Sequence, residues 1–367
     1  MAGSRTSSEI GKHLHLLVEV SIIVIRYIQM EKDMPELRQN VATREWVIIS
    51  TERAKRPEDF KNKKVKKDVP SHIDSCPFCT GNETLTPPEL FRIPDNAPSW
   101  SVRVTPNKFA ALTDVGNKDV WKLNGIMSKA NGVGHHDVII DSPRHNGYIP
   151  TLTSTDMNNL FSAYVRRFKE VSQDPRTEHV IIFKNHGKNA GTSLEHPHTQ
   201  IVALPVVPSH VRQRIEEAMQ YYDSHGQCVF CTIRDEELKL SDRVIHDSEH
   251  FTALVPYAAY SPFNIWVIPK RHAASFGDIS QNEISDLAKI MKIIISKLHF
   301  GLDDPDYNYI IRTVPVGGCN SKYFHWYIDI VPRLTKMAGF ELGTGMFINV
   351  SLPEENAAFL RSVKIPD

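Results

Sequence analysis

The chain has 367 residues, 41% of them hydrophobic and 23% charged, enough for two domains that each bury a core. Its 43 basic and 43 acidic residues cancel, so composition gives no reason to expect nucleic acid or an anionic membrane as partner. Five cysteines in this length do not make a disulfide scaffold; two C-x2-C pairs and a separate Cys319 fit metal or redox chemistry in a reducing, cytoplasmic setting.

The apolar stretch at 13–30 carries Glu19 and Arg26. Its longest uncharged run, Val20–Ile25, is far short of the ~20 residues a spanning helix needs, and no signal-peptide cleavage pattern follows. Residues 1–33 therefore read as an extension outside the fold, with a domain starting at Met34. The segment 51–70 is basic and loop-like, and Lys63–Lys67 reads as a solvated surface.

From Cys76 onward the chain states one pattern twice. The first half runs CPFC (76–79), a strand ending before His145, a helix, the strand HVIIF, and the HPH stretch that leads to Pro205. The second runs CVFC (228–231), a strand ending before His272, a helix, the strand YIIRT, and YFHWYIDIVP to Pro332. Ser154 or Thr155 is a cap for the first helix, with Met157, Leu160, Phe161, Tyr164, Val165 and Phe168 on one face. Ser280 with Glu283 forms a capping box for the second. A further helix is expected from Ser209 to just before Gly226. The fold class is α+β: two tandem units, each a mostly antiparallel sheet with packed helices, over 34–207 and 208–367.

Zinc wants four soft or borderline ligands in a tetrahedron, and C-x2-C supplies two. The pairs lie too far apart in sequence to share one ribbon, so histidines must complete each site. The repeat nominates His145 and His196 with Cys76 and Cys79, and His272 and His325 with Cys228 and Cys231: two zinc ions per chain. Each pair could instead be a buried reduced dithiol or a redox motif, though neither is expected at a strand–helix junction. Counted back from the terminal prolines, His325 falls opposite His198, and Tyr323 opposite His196.

His196 and His198 stand two apart at the entry to a strand, and their side chains are expected on opposite faces. His196 can then bind metal while His198 reacts. The preceding loop, KNHGKNAGTS, is rich in Gly, Asn and Ser and can hold a phosphate through N–H groups and hydroxyls. Gln200 returns to the face of His198. An imidazole beside a phosphate cradle can attack phosphorus and carry a covalent phosphoramidate; taken alone, His198 could equally be a satisfied core histidine.

GTSLEHPHTQ, with CPFC, REWVIISTERAKRP and VRVTPNKFAAL upstream, resembles the galactose-1-phosphate uridylyltransferases of the histidine-triad superfamily, over about residues 34–367. The resemblance implies ping-pong nucleotidyl transfer with His198 as nucleophile and a non-catalytic second half. It implies substrate contacts from Arg53, Arg56, Asn107, Asn185, Gly191, Thr192, Ser193, Gln200, Phe340 and Glu341. It also implies a homodimer, with the arginines of RAKR reaching across it. The expected substrates are a nucleotide sugar and a sugar 1-phosphate or phosphate, with UDP-glucose–hexose-1-phosphate uridylyl transfer as the first reading. Cysteines at the second metal site make the chain similar to the plant ADP-glucose phosphorylase branch, the second reading. A histidine-triad nucleotide hydrolase or dinucleotide phosphorylase, and a zinc-stabilised nucleotide-binding module without catalysis, are the further alternatives.

Overall fold

The computed structural model describes residues 34–50, 55–61, 69–123 and 125–366. The extension 1–33, Arg53 and the lysine run at 63–67 lie outside them. Among the described residues the strands are β1 (Glu36–Gln39), β2 (Trp46–Ile49), β3 (Phe91–Ile93), β4 (Val102–Pro106), β5 (Val120–Leu123), β6 (Met127–Ala130), β7 (His135–Ile140), β8 (His179–His186) and β9 (His198–Leu204). They continue with β10 (Val244–Asp247), β11 (Phe251–Leu254), β12 (Ile265–Pro269), β13 (Tyr307–Arg312), β14 (Tyr327–Pro332) and β15 (Phe347–Asn349). The helices are α1 (Ser154–Ser172), α2 (Ser209–His225), α3 (Val229–Leu240), α4 (Gln281–Leu302), α5 (Gly339–Thr344) and α6 (Pro353–Ser362).

Ten strands form one antiparallel sheet in the order β10-β11-β12-β14-β13-β8-β9-β7-β4-β3. Read inward from either edge, the order repeats, so β3, β4, β7, β9 and β8 correspond to β10, β11, β12, β14 and β13. The halves meet where β8 pairs with β13, Asn185 opposite Asn308. The repeat read in the sequence is thus an α+β pair of units merged through a shared sheet.

One face of the sheet is covered by α1 and α4, which pack on each other. Ser280 and Glu283 cap α4 reciprocally, as the sequence indicates. On α1 the cap is Thr153 rather than Ser154 or Thr155: its hydroxyl accepts from Asp156 N–H while Asp156 accepts from its backbone. Neither alternative has an acidic side chain three residues on to complete the box. Phe161, Tyr164, Leu287, Met291 and Ile294 are fully buried against Ile139, Ile201, Ile328 and Ile330. Each such large apolar side chain contributes roughly 1.5–3 kcal/mol.

The opposite face differs between the halves. In the second, α2 and α3 lie over it, and Trp266, Ile268 and Tyr327 pack with Ala218, Val229 and Phe230. In the first half no helix among the described residues lies there; Val138 and Ile140 instead meet Cys76, Phe78 and Cys79. A small sheet joins the two ends of the described chain: β1 pairs antiparallel with β2, and β15 adds parallel to β2. Arg38 ties it down, donating to Glu354 at 2.9 Å with its guanidinium 4.5 Å above the Tyr257 ring.

Candidate functional site

The first Cys/His cluster forms where the β7 exit, the β9 entry and the CPFC turn converge. Cys76, Cys79, His145 and His196 bring one ligand atom each to within 4.8 Å of the others, and all four are buried. The Nδ1 atoms face the sulfurs: His196 lies 3.6 Å from both, and His145 lies 3.5 Å from Cys79. Tetrahedral zinc at ordinary bond lengths would separate sulfur and nitrogen ligands by about 3.6 Å. His196 Nε2 is taken by the Ser142 carbonyl at 2.8 Å, which leaves Nδ1 for a metal. Burial lowers its pKa to about 4, favouring the neutral ring a metal binds. Ile73 N–H donates to Cys79 Sγ at 3.4 Å, as suits a thiolate. This donor set fits zinc.

Cys228, Cys231, His272 and His325 make the second cluster, more open because His272 is exposed. Cys231 lies 3.4 Å from His272 and 3.6 Å from His325, whose Nδ1 atoms are 3.4 Å apart, again the spacing of tetrahedral zinc ligands. Cys228 sits at the N-terminus of α3, a helix the sequence reading missed. The proline count that set His325 opposite His198 is corrected here. Pro332 is the last residue of β14 whereas Pro205 lies beyond β9, so His325, two residues before its strand, matches His196. Tyr327 and Asp329 then occupy the places of His198 and Gln200. Tyr327 is fully buried, its ring centroid 5.0 Å from Phe230 and 4.8 Å from Trp266, and its hydroxyl accepts from Arg214 at 3.0 Å.

His198 opens β9. Its Nδ1–H donates to the His196 carbonyl at 2.8 Å, which turns Nε2 away from the backbone. The expectation of opposite faces is corrected here: His198 pairs with Ile140, which packs on Cys76, Phe78 and Cys79, and Phe78 lies edge-on to both imidazoles, at 5.9 Å from His196 and 5.3 Å from His198, because residues two apart along a strand share a face. His198 is 7% exposed. Burial holds its pKa below the usual histidine value, with the Lys184 ammonium adding to the effect. Behind it, Lys184 and Asp141 form a buried ion pair, and Lys184 Nζ also donates to the His198 carbonyl at 3.1 Å. Thr199, Tyr164 and Tyr309 continue this polar chain, with the Tyr164 hydroxyl 2.6 Å from both of the others. Tyr309 comes from the second half.

The loop after β8 is also fixed by the second half. Asp306 accepts from Asn189 N–H at 2.7 Å. Asn308 donates to Asn185 Oδ1 at 2.7 Å and to the Ala190 carbonyl at 2.9 Å. Gly187 has φ +84°, and a Cβ there would fall 2.1 Å from Asp306 Oδ1, so glycine is required. Gly191 is left-handed at +89°, and the Thr192 hydroxyl donates to the Asn185 carbonyl at 2.6 Å. Ser193 and Gly191 are exposed.

Gln200 and Asn107 meet at a residue the sequence reading did not single out: His136, with its Nε2 2.8 Å from Gln200 Oε1 and 3.1 Å from Asn107 Nδ2. A histidine pair opening a strand carries no spacing signal of its own. Arg56 is exposed at the start of a short 3-10 turn. Phe340 and Glu341 lie on α5, where Glu341 accepts from Ala338 N–H at 2.9 Å to cap its own helix. No described helix is long and apolar enough to cross a membrane.

Comparison with known proteins gives consistent matches. Residues 27–208 match the family described as galactose-1-phosphate uridyl transferase, N-terminal domain, and residues 214–347 its C-terminal domain. The ADP-glucose phosphorylase of Arabidopsis thaliana is 38% identical over 339 residues, 92% of this chain and 95% of that protein. A galactose-1-phosphate uridylyltransferase of Thermotoga maritima is 30% identical over 341 residues, 90% of this chain and 99% of that one. A crystal structure of an ADP-glucose phosphorylase from Arabidopsis thaliana with bound ADP-glucose superposes with a TM-score of 0.77 at 35% identity, covering 91% of this chain and all of that one.

Proposed function

Because the chain belongs to the galactose-1-phosphate uridyl transferase family, it is a nucleotidyltransferase, and we propose that its reaction is the phosphorolysis of ADP-glucose. The observation that carries the covalent route is the His198 Nδ1–H bond to the His196 carbonyl. It leaves the Nε2 lone pair to attack the α-phosphorus of the nucleotide sugar. The bond from that phosphorus to the glucose 1-phosphate oxygen breaks, and glucose 1-phosphate departs with the electron pair. A nucleotidyl-histidine remains. An oxygen of inorganic phosphate then attacks the same phosphorus, the N–P bond breaks, and ADP is released. Asn185, Gly191, Thr192, Ser193, Asn107 and Gln200 hold the phosphates and nucleoside, with Arg56 and Arg53 supplied across a homodimer. Phe340 and Glu341 serve the sugar end.

Zinc held by Cys76, Cys79, His145 and His196 would fix the HPH turn, so that His198 is positioned before substrate arrives. Zinc on the second cluster would hold α3 against β12. Residues 34–207 act as the catalytic half and 208–367 as its support, since Tyr327 stands buried in the nucleophile's place.

The adenylyl reading is preferred over uridylyl transfer because the relative and the solved structure named for ADP-glucose share more identity with this chain. UDP-glucose–hexose-1-phosphate uridylyl transfer stays as the second reading on the strength of the near full-length likeness to the Thermotoga protein. Single-turnover assays with ADP-glucose and UDP-glucose, each chased with phosphate or galactose 1-phosphate, separate the two. Phosphate-dependent release of ADP supports the first reading; galactose-dependent release of a uridylyl product reverses the order. Binding of nucleotide with no group transfer would leave a binding module.

A further inference from the structure

His136 sits on β7, diagonally across from Gln200 on β9, where Val138 is the direct partner of Gln200. Its ring is held by a backbone group. Ala111 N–H donates to Nδ1 at 3.1 Å. A ring nitrogen that accepts carries no proton, so the ring N–H is on Nε2. That N–H points at Gln200 Oε1, 2.8 Å away, and Gln200 must accept. The Gln200 amide is thereby oriented: its oxygen faces His136 and its NH2 is turned out of that contact.

Asn107 also reaches the ring. Its Oδ1 accepts from Phe109 N–H at 2.9 Å, which fixes which end of its amide is nitrogen. Its Nδ2 lies 3.1 Å from His136 Nε2, a donor-to-donor contact once Nε2 carries the proton, so the Asn107 NH2 finds no acceptor on this ring and the tautomer rests on Ala111 N–H alone. The Gln200 NH2, on the same face of β9 as His198, and the Asn107 NH2 are left for another acceptor. Phosphate oxygens are pure acceptors, and donors presented to them must be nitrogen. An unrestrained glutamine could turn its carbonyl to the phosphate, which repels it.

We infer that His136 is a positioning residue for nucleotidyl transfer: through a tautomer set by Ala111 N–H, it orients Gln200 and leaves two amide NH2 donors for the phosphates of a bound nucleotide sugar. What those donors face rests on the proposed nucleotidyl transfer; the orientation itself rests on hydrogen bonds alone.

Two measurements test this on the full-length zinc-loaded protein. Nitrogen NMR of 15N-histidine-labelled protein reads the tautomer of His136, assigned by its loss in H136Q; a proton on Nε2 is expected, and a proton on Nδ1 overturns the inference. Single-turnover formation of the nucleotidyl-enzyme from ADP-glucose or UDP-glucose gives the second. His136→Leu should slow it about tenfold to a hundredfold. His136→Gln, whose amide can still donate to Gln200, should recover much of the loss. In a Gln200→Ala background, His136→Leu should have no further effect, because His136 acts through Gln200. An equal, additive loss in that background overturns the inference. If the unmodified protein forms no nucleotidyl-enzyme with either sugar, the proposed function fails, while the tautomer still decides the orientation.

Discussion

His198 Nδ1 lies 2.8 Å from the carbonyl oxygen of His196, so the residue that completes the first Cys/His cluster also aims the ring beside it. The link predicts an asymmetry between the clusters. Metal analysis should give about two zinc per chain. Cys228→Ser with Cys231→Ser should lower this to about one and reduce stability, yet leave nucleotidyl-enzyme formation within a few-fold. His196→Ala should remove zinc from the first cluster and cost about 10–100-fold in that step. Equal losses from the two changes would contradict a directing role for the first cluster.

Lys184 and Asp141 are 2% and 1% exposed, and their pairing lies directly behind the nucleophile. Removing one partner strands a buried charge. Lys184→Met or Asp141→Leu alone should each cost about 3–5 kcal/mol in denaturant unfolding. The double change should cost much less than their sum, since neither charge then remains. It should still slow nucleotidyl-enzyme formation, because the His198 carbonyl has lost its donor. Additive destabilisation would show that the two groups do not act as a pair.

Much of this was legible in the sequence because it rests on local chemistry. C-x2-C turns name themselves, and the Ser280–Glu283 box is a short-range contact. What escaped reading was set by tertiary packing. The α3 helix behind Cys228 forms under Trp266 and Tyr327, and β1–β2 pair with a strand some 300 residues away. The pairing of His325 with His196 depends on where β14 begins, which a proline count does not fix. His136 matters only through Ala111, Gln200 and Asn107, which lie 25, 64 and 29 residues from it in the chain.

Gly187 tests whether the second half shapes the loop beside His198. With φ at +84° and Asp306 Oδ1 2.1 Å from the site of a Cβ, Gly187→Ala should displace the Lys188–Ala190 turn. Strain of about 1–3 kcal/mol is expected in unfolding experiments, together with a raised KM for the nucleotide sugar. Unchanged KM would mean that this loop does not touch substrate.

Glu283 gives a pH signature in the core. It caps α4 and pairs with Arg271 at 2.8 Å; burial alone would raise its pKa, but the Arg271 and Ser280 hydrogen bonds outweigh that and hold it at about 2. A lowered folded-state pKa stabilises the fold above the unfolded value of 4.5. The contribution is lost as pH falls towards 2, and the drop corresponds to at most about 3 kcal/mol. The stability gap between the unmodified protein and Glu283→Gln should therefore be largest above pH 5 and shrink towards pH 2. A gap independent of pH would contradict the charge-based account.

The most direct test of the covalent route is the stoichiometry of label from ADP-[α-32P]glucose. The account predicts acid-labile, base-stable label approaching one per chain, located on His198, discharged by phosphate as ADP, and absent in His198→Ala. Steady turnover with no label on the protein, or a His198→Ala variant that still turns over at the original rate, would contradict it.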